Sequence, residues 1–417
     1  MIFLMGVMLR LARCAAQSYN PVRMLKVLTS SLPSSLLIGL LSGAAVTGLL
    51  HSLGWVTRFR VDHPAVIWCL PLAGALIGLL RKHLRGLSTG GPLPLLYAPA
   101  VFFSTLLTHL CGGSAGREGA AFRISTGITR LMPGSVRNTP EQQQTLLSCA
   151  LAAGFASALG APTSGLVFAW EFSKSRRLNW PLPFLMILSV MAALITTELL
   201  HTEHLILPKF RGEVAERFPG LLVASLLSIP IFTGLGWIFR ESLHLGESRG
   251  NILGRLLPRL TVAWSWRAIR GFAGGSLLLL LYLAFDLTNY QGLGIGTIQE
   301  AFQGPSSWVL PILKLVLTVI TLAAGFRGGE FMPLFFIGST AGSALTSSLG
   351  AGEILLPALG CVTVYGVASR SPWTALALAG ELFGIGILPF AAVNIGGAML
   401  LASGLRRLAH QRPPTPA

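Results

Sequence analysis

Residues 112–119 read Gly112-Gly113-Ser114-Ala115-Gly116-Arg117-Glu118-Gly119, and they close a charge-free run that begins at residue 86. That run exceeds the ~20 residues needed to cross a bilayer as a helix. Three other stretches, 27–57, 142–170 and 382–405, are equally free of charge. Over the 417 residues, 52% are hydrophobic and 11% charged, and mean hydropathy is +0.68. A soluble protein of this size carries roughly a quarter charged residues. The chain is therefore an all-α polytopic membrane protein, and Glu118 is a carboxylate set among apolar residues at membrane depth.

The net charge of +16 follows the positive-inside rule better than it fits nucleic acid, for which no basic strip interleaved with aromatics is present. Arg10, Arg13, Arg23 and Lys26 precede the first long apolar run, and Arg406, Arg407 and Arg412 follow the last, with no acid at either end. Both termini are expected in the cytoplasm. Residues 1–8 are too short for a span and lack a signal-peptide cleavage site. The five cysteines form no CxxC pair, so neither a disulfide framework nor a metal site is expected. No Ser/His/Asp or metal-spaced constellation appears, and His201 with His204 lacks a third ligand. An enzyme is not expected, nor a cofactor.

Apolar runs predict helices near 33–52, 64–82, 92–112, 119–132, 143–172, 180–200 and 218–240, then 271–287, 308–325, 332–349, 354–382 and 385–406. Gly160-Ala161-Pro162 and Ser369-Arg370-Ser371-Pro372 interrupt two of them. The residue before a proline avoids the helical region, so each of these runs should hold two helices. The two interruptions belong to a repeat. Gly116-Arg117-Glu118 precedes Pro162 and Glu171 as Gly328-Gly329-Glu330 precedes Pro372 and Glu381; the glutamates are 53 and 51 residues apart, and each proline stands 9 before the second glutamate. The expected organisation is a cytoplasmic segment 1–32, a first transmembrane repeat 33–243, a basic linker 244–270, a second repeat 271–406 and a tail 407–417. Repeats with broken helices put a substrate near the bilayer midplane at their interface.

Of the acids in apolar surroundings, Glu171, Glu381, Glu198 and Asp286 sit near segment ends and suit interfacial roles. Glu118 differs. Glycines before it free the backbone to present several N–H groups to one point, and the helix after it adds the positive end of its dipole. An anion is attracted there, and a tethered carboxylate can occupy the place instead, either as a plain helix cap or as a group that yields on protonation. Proton and anion would then compete for one position. The loop Gly325-Phe326-Arg327-Gly328-Gly329-Glu330-Phe331-Met332-Pro333 repeats the design, and Gly292-Leu293-Gly294 adds a third glycine loop.

At these residues the chain resembles the CLC family of anion channels and anion/proton exchangers: Gly116-Arg117-Glu118-Gly119 is similar to its GREG motif and Gly328-Gly329-Glu330-Phe331-Met332-Pro333 to its GGxFxP loop. Thr105-Leu106-Leu107-Thr108-His109-Leu110 and Glu330 look most like the bacterial fluoride/proton antiporter branch. The resemblance implies a CLC-type inverted repeat, gating and proton transfer by Glu118, and anion binding by Gly116, Arg117, Gly119, Gly329, Glu330, Phe331 and Met332. It implies a homodimer in the cell inner membrane that moves a small inorganic anion, fluoride or chloride, against protons. Three departures stand beside it. The loop 85–91, with Ser88 as the candidate selectivity residue, is short; Met332 replaces a common Thr; and no Tyr falls between Ala391 and His410. A fluoride/proton antiporter, a chloride channel or exchanger, and a transport-impaired relative all remain open.

Overall fold

A computed structural model describes residues 21–80, 93–134, 137, 139–173, 182–210, 218–256, 266–350 and 352–410. Among the described residues there are helices and turns but no strand, save one isolated bridge. The α-helices are α1 Pro21–Asp62, α2 Leu70–Leu80, α3 Tyr97–Leu110, α4 Glu118–Ile128, α5 Pro140–Leu159, α6 Pro162–Phe172, α7 Leu182–Leu199 and α8 Phe218–Leu256. They continue with α9 Trp266–Phe285, α10 Ile295–Glu300, α11 Val309–Ala324, α12 Phe331–Leu349, α13 Gly352–Ser369, α14 Pro372–Phe383 and α15 Leu388–His410. Among the described residues, six stretches are long and apolar enough to cross a membrane: Ser31–Asp62, Leu182–Leu199, Phe218–Gly246, Trp266–Phe285, Gly352–Ser369 and Ile385–Arg407.

Local chemistry sets the ends of these helices. Thr139 and Gln142 form a capping box at the start of α5, the Thr139 side chain accepting from the Gln142 N–H at 3.2 Å. Such a cap satisfies donors that the first helical turn leaves open. Gly160, at φ +68°, ends α5, and Pro162 starts α6. In the second broken run Arg370 holds the same left-handed place at φ +58° before Pro372. The two interruptions read from the sequence are thus real helix breaks, each made by a left-handed residue followed by a proline at the first turn.

The stretch 244–270 is helical from His244 to Leu256, as the end of α8, and again from Trp266. After Pro230 no proline occurs until Pro258, so nothing in the backbone stops α8 where its apolar character ends. The loop 85–91, Ser88 included, lies outside the described residues, as does most of the segment 1–32 and the tail beyond His410.

The described residues divide into two compact units, one made of residues up to Gly48 with Ala121–Glu203, the other of Leu49–Ala120 with His204 onward. In the first, Gly39 and Gly43 of α1 lie against the Ser189 and Ala193 carbonyls of α7, and Gly165 of α6 against Ala152 and Ala156 of α5. Phe155 and Phe168 stack at 4.3 Å. In the second, Gly74 of α2 meets Gly271 of α9, and Gly338 of α12 meets Gly360 of α13, so closely that a Cβ on any of the four would run into the partner backbone. Membrane helices gain little from hydrophobic burial against each other, and close backbone approach through small residues replaces it. A fully buried polar node joins three helices of this second unit. Asn394 of α15 accepts from Thr363 at 2.8 Å and donates to the Ser225 carbonyl at 2.6 Å and to Ser228 at 2.9 Å.

Candidate functional site

The two motif loops of the sequence are hydrogen-bonded to each other. Gly116 N–H donates to the Gly329 carbonyl at 2.7 Å and Gly329 N–H to the Gly116 carbonyl at 2.6 Å, an antiparallel bridge. It joins the two residues just ahead of α4 and α12. Only glycine fits here. A Cβ on Gly329 would stand 2.6 Å from the Gly119 nitrogen, and one on Gly119 would stand 2.6 Å from the Gly329 Cα.

The bridge engages the N–H groups of Gly116 and Gly329, so these two residues contribute close approach rather than open donors. Donors further along the two helix starts point elsewhere. The Met332 nitrogen and the Glu118 Oε2 are each 3.1 Å from the place a Cβ on Gly116 would occupy. The carboxylate of α4 and an amide of α12 thus converge beside the bridge.

Glu118 is 1% exposed, and it is the one buried acid among the described residues. Its side chain folds back over its own helix start, where Oε2 accepts from Arg117 N–H at 3.1 Å. Oε1 lies 3.4 Å from Arg117 Nε, yet neither atom has a hydrogen-bond partner. A buried carboxylate ordinarily fills its lone pairs. Here one oxygen accepts from the Arg117 amide at the helix start, and the other faces the Arg117 guanidinium without a hydrogen bond; donors at a helix N-terminus serve a carboxylate or a free anion alike.

Phe331 and Met332 begin α12 and are buried. The Phe331 ring stacks on Phe335 at 4.2 Å and meets Tyr365 of α13 edge-on at 5.0 Å. Tyr365 escaped the sequence reading, which sought a tyrosine after Ala391; with only five tyrosines in the chain, a scan of all of them would have raised it. Glu330 faces the other way. It is exposed, caps no N–H of α12, and lies within electrostatic reach of Arg240, as does Arg370. The structure therefore groups Gly116, Arg117, Glu118, Gly119, Gly329, Phe331 and Met332, with the Glu330 carboxylate on the exposed side.

Behind the Glu118 loop, several carbonyls are held by donors from other segments. Arg60 donates to that of His109, Tyr282 Oη to that of Gly112 at 3.0 Å, and Gly292 N–H to that of Gly113 at 3.2 Å. The His109 ring reaches the Thr105 and Ala115 carbonyls at 2.9 and 3.1 Å. Ser114 is fixed by Thr318 at 3.0 Å and by Thr321, which accepts its N–H at 3.3 Å. The third glycine loop thus buttresses the first. The sequence reading weighed intramembrane acids and passed over the cations; Lys314, alone in the apolar run of α11, was the available signal.

Comparison with known proteins follows the same lines. The family described as "Voltage gated chloride channel" matches residues 80–403. The "Chloride/fluoride channel protein" of Pseudomonas syringae pv. tomato is 33% identical over 383 residues, covering 86% of this chain and 80% of the relative. The "H(+)/Cl(-) exchange transporter ClcA" of Cronobacter sakazakii is 25% identical over 83% of this chain and 80% of its own length. The crystal structure of a CLC-type fluoride/proton antiporter superposes with a TM-score of 0.78 at 31% identity, covering 90% of this chain and 96% of that one. The protein is a multi-pass membrane protein of anion transport, not an enzyme, and it belongs to the voltage-gated chloride channel, or CLC, family.

Proposed function

We propose that the protein exports fluoride in exchange for protons, with Glu118 as both gate and proton carrier. The observation that carries this reading is the buried Glu118 carboxylate, seated on the Arg117 amide at the start of α4 with Oε1 3.4 Å from Arg117 Nε and without a hydrogen bond. Deprotonated, it occupies the amide-lined position. Protonated, it loses its attraction to the helix dipole and yields to an anion. Proton and anion occupancy are then linked by competition, which makes exchange obligatory and a leak slow. Fluoride is the strongest hydrogen-bond acceptor among the halides, and the amides at Arg117, Gly119, Phe331 and Met332 are donors that suit it. Glu330, at the exposed side of the same loop, is the candidate for a second proton or anion contact. The fluoride/proton antiporter named in the structural comparison supports the choice of ion.

Chloride is the second reading, and Met332 favours it, because its side chain brings no hydroxyl to the anion. We place the protein as a homodimer in the cell inner membrane with both termini cytoplasmic. The experiment is a paired flux measurement. Purified protein in liposomes is loaded with fluoride or chloride, and anion and proton movements are recorded together. A fluoride gradient should drive protons uphill, and Glu118→Gln should abolish that coupling. Chloride flux without protons would turn the reading to a channel, and no flux of either ion would leave a transport-impaired family member.

A further inference from the structure

A fully buried lysine stands behind the Glu118 loop, and the gate mechanism makes no use of it. Lys314 of α11 has no exposed surface. Its Nζ donates to the carbonyls of Tyr290 at 2.9 Å and Gly292 at 2.8 Å, and it lies 5.1 Å from the centre of the Phe336 ring. Arg60, 8% exposed, donates to the His109 carbonyl nearby. No carboxylate among the described residues pairs with either cation. An uncompensated buried charge is costly to a fold.

Lys314 is joined to the gate loop twice. The Gly292 residue that it holds donates its N–H to the Gly113 carbonyl at 3.2 Å. One and two turns further along the same face of α11, Thr318 bonds the Ser114 hydroxyl at 3.0 Å and Thr321 accepts the Ser114 N–H at 3.3 Å. Two residues beyond Ser114 comes the Gly116 bridge, and then Glu118. A positive charge fixed behind these loops acts through a medium of low dielectric, where its potential falls off slowly. It favours any anion on the far side of the loop, and it draws the carbonyl ends of the loop peptides toward itself and away from that anion.

We propose that Lys314 is a charge-bearing positioning residue of the anion site, anchoring the 290–292 loop against Gly113 and strengthening anion binding beside Glu118. The proposal rests on anion transport and not on the choice of fluoride. Three forms of the full chain test it: wild type, Lys314→Gln, which keeps two donors and loses the charge, and Lys314→Arg, which keeps the charge. Fluoride and chloride binding are measured by calorimetry in detergent, and the concentration dependence of flux in liposomes. Lys314→Gln should bind the transported anion on the order of tenfold more weakly and raise the half-saturating concentration by the same factor. Lys314→Arg should stay within about threefold of wild type. Wild-type binding and half-saturation in Lys314→Gln overturn the proposal. If Lys314→Gln does not elute as a folded protein, Lys314→Arg decides, and a tenfold loss there overturns it. A wild type that binds neither anion would instead count against anion transport itself.

Discussion

Replacing Gly329 with alanine tests the contact on which the whole site depends. The added Cβ would lie 2.6 Å from the Gly119 nitrogen and 3.1 Å from the Gly119 Cα. Both are backbone atoms of a helix start and cannot swing aside. Ordinary contact begins at 3.4 Å, so the two loops must part by about 0.8 Å, a displacement that overpacked interiors resist at about 1–3 kcal/mol. The reciprocal Gly116 and Gly329 hydrogen bonds, now 2.7 and 2.6 Å, would stretch to the edge of bonding. Weakening two buried backbone bonds adds about 1–3 kcal/mol. The expected loss is therefore about 2–6 kcal/mol of stability. The transport loss should be larger, because Glu118 Oε2 and the Met332 nitrogen both lie against Gly116, and a misplacement near 1 Å costs on the order of a hundredfold in rate. The assay is thermal loss of monodisperse protein together with anion flux in liposomes. Gly54→Ala is the control, since a Cβ there meets nothing within 4 Å; in the interior of α1 it should be neutral or stabilise by up to about 1 kcal/mol. Wild-type stability and flux in Gly329→Ala would refute the argument that this bridge sets the site.

The remaining predictions concern the gate and its surroundings. Because protonation frees the site from Glu118, wild-type anion flux should rise as pH falls, while Glu118→Gln, fixed in the neutral form, should show no such rise; liposome flux between pH 5 and 8 reads both. Tyr365→Ala removes the ring that meets Phe331 at 5.0 Å and should destabilise the protein by about 3–5 kcal/mol, with Tyr365→Phe losing far less in the same thermal assay. Asn394→Leu strips partners from Thr363, Ser225 and Ser228 at once and should cost about 2–4 kcal/mol. Unchanged thermal stability in Asn394→Leu would mean that the node is solvated rather than mutually satisfied.

The amino-acid sequence by itself determined the membrane class, because charge-free runs longer than a bilayer crossing have no other stable environment. It also determined the two helix breaks, where a left-handed residue and a proline act within one turn of chain, and it singled out Glu118 and the Phe331 loop through glycines whose spacing repeats. These are local properties, legible from neighbouring residues. What only the tertiary structure decided is where distant chain segments meet. The Gly116 to Gly329 bridge joins residues more than two hundred apart, and it engages two amides that sequence reasoning had left open for the anion. Glu330 lay in the same motif as Phe331, yet its side chain faces outward, because a helix N-terminus turns successive residues to different sides. Tyr365 and Arg60 carry no local signature of a site, and His109 and Lys314 show only as polar residues set in apolar runs. Their roles come from carbonyls and rings brought to them by packing, which no spacing along the chain encodes.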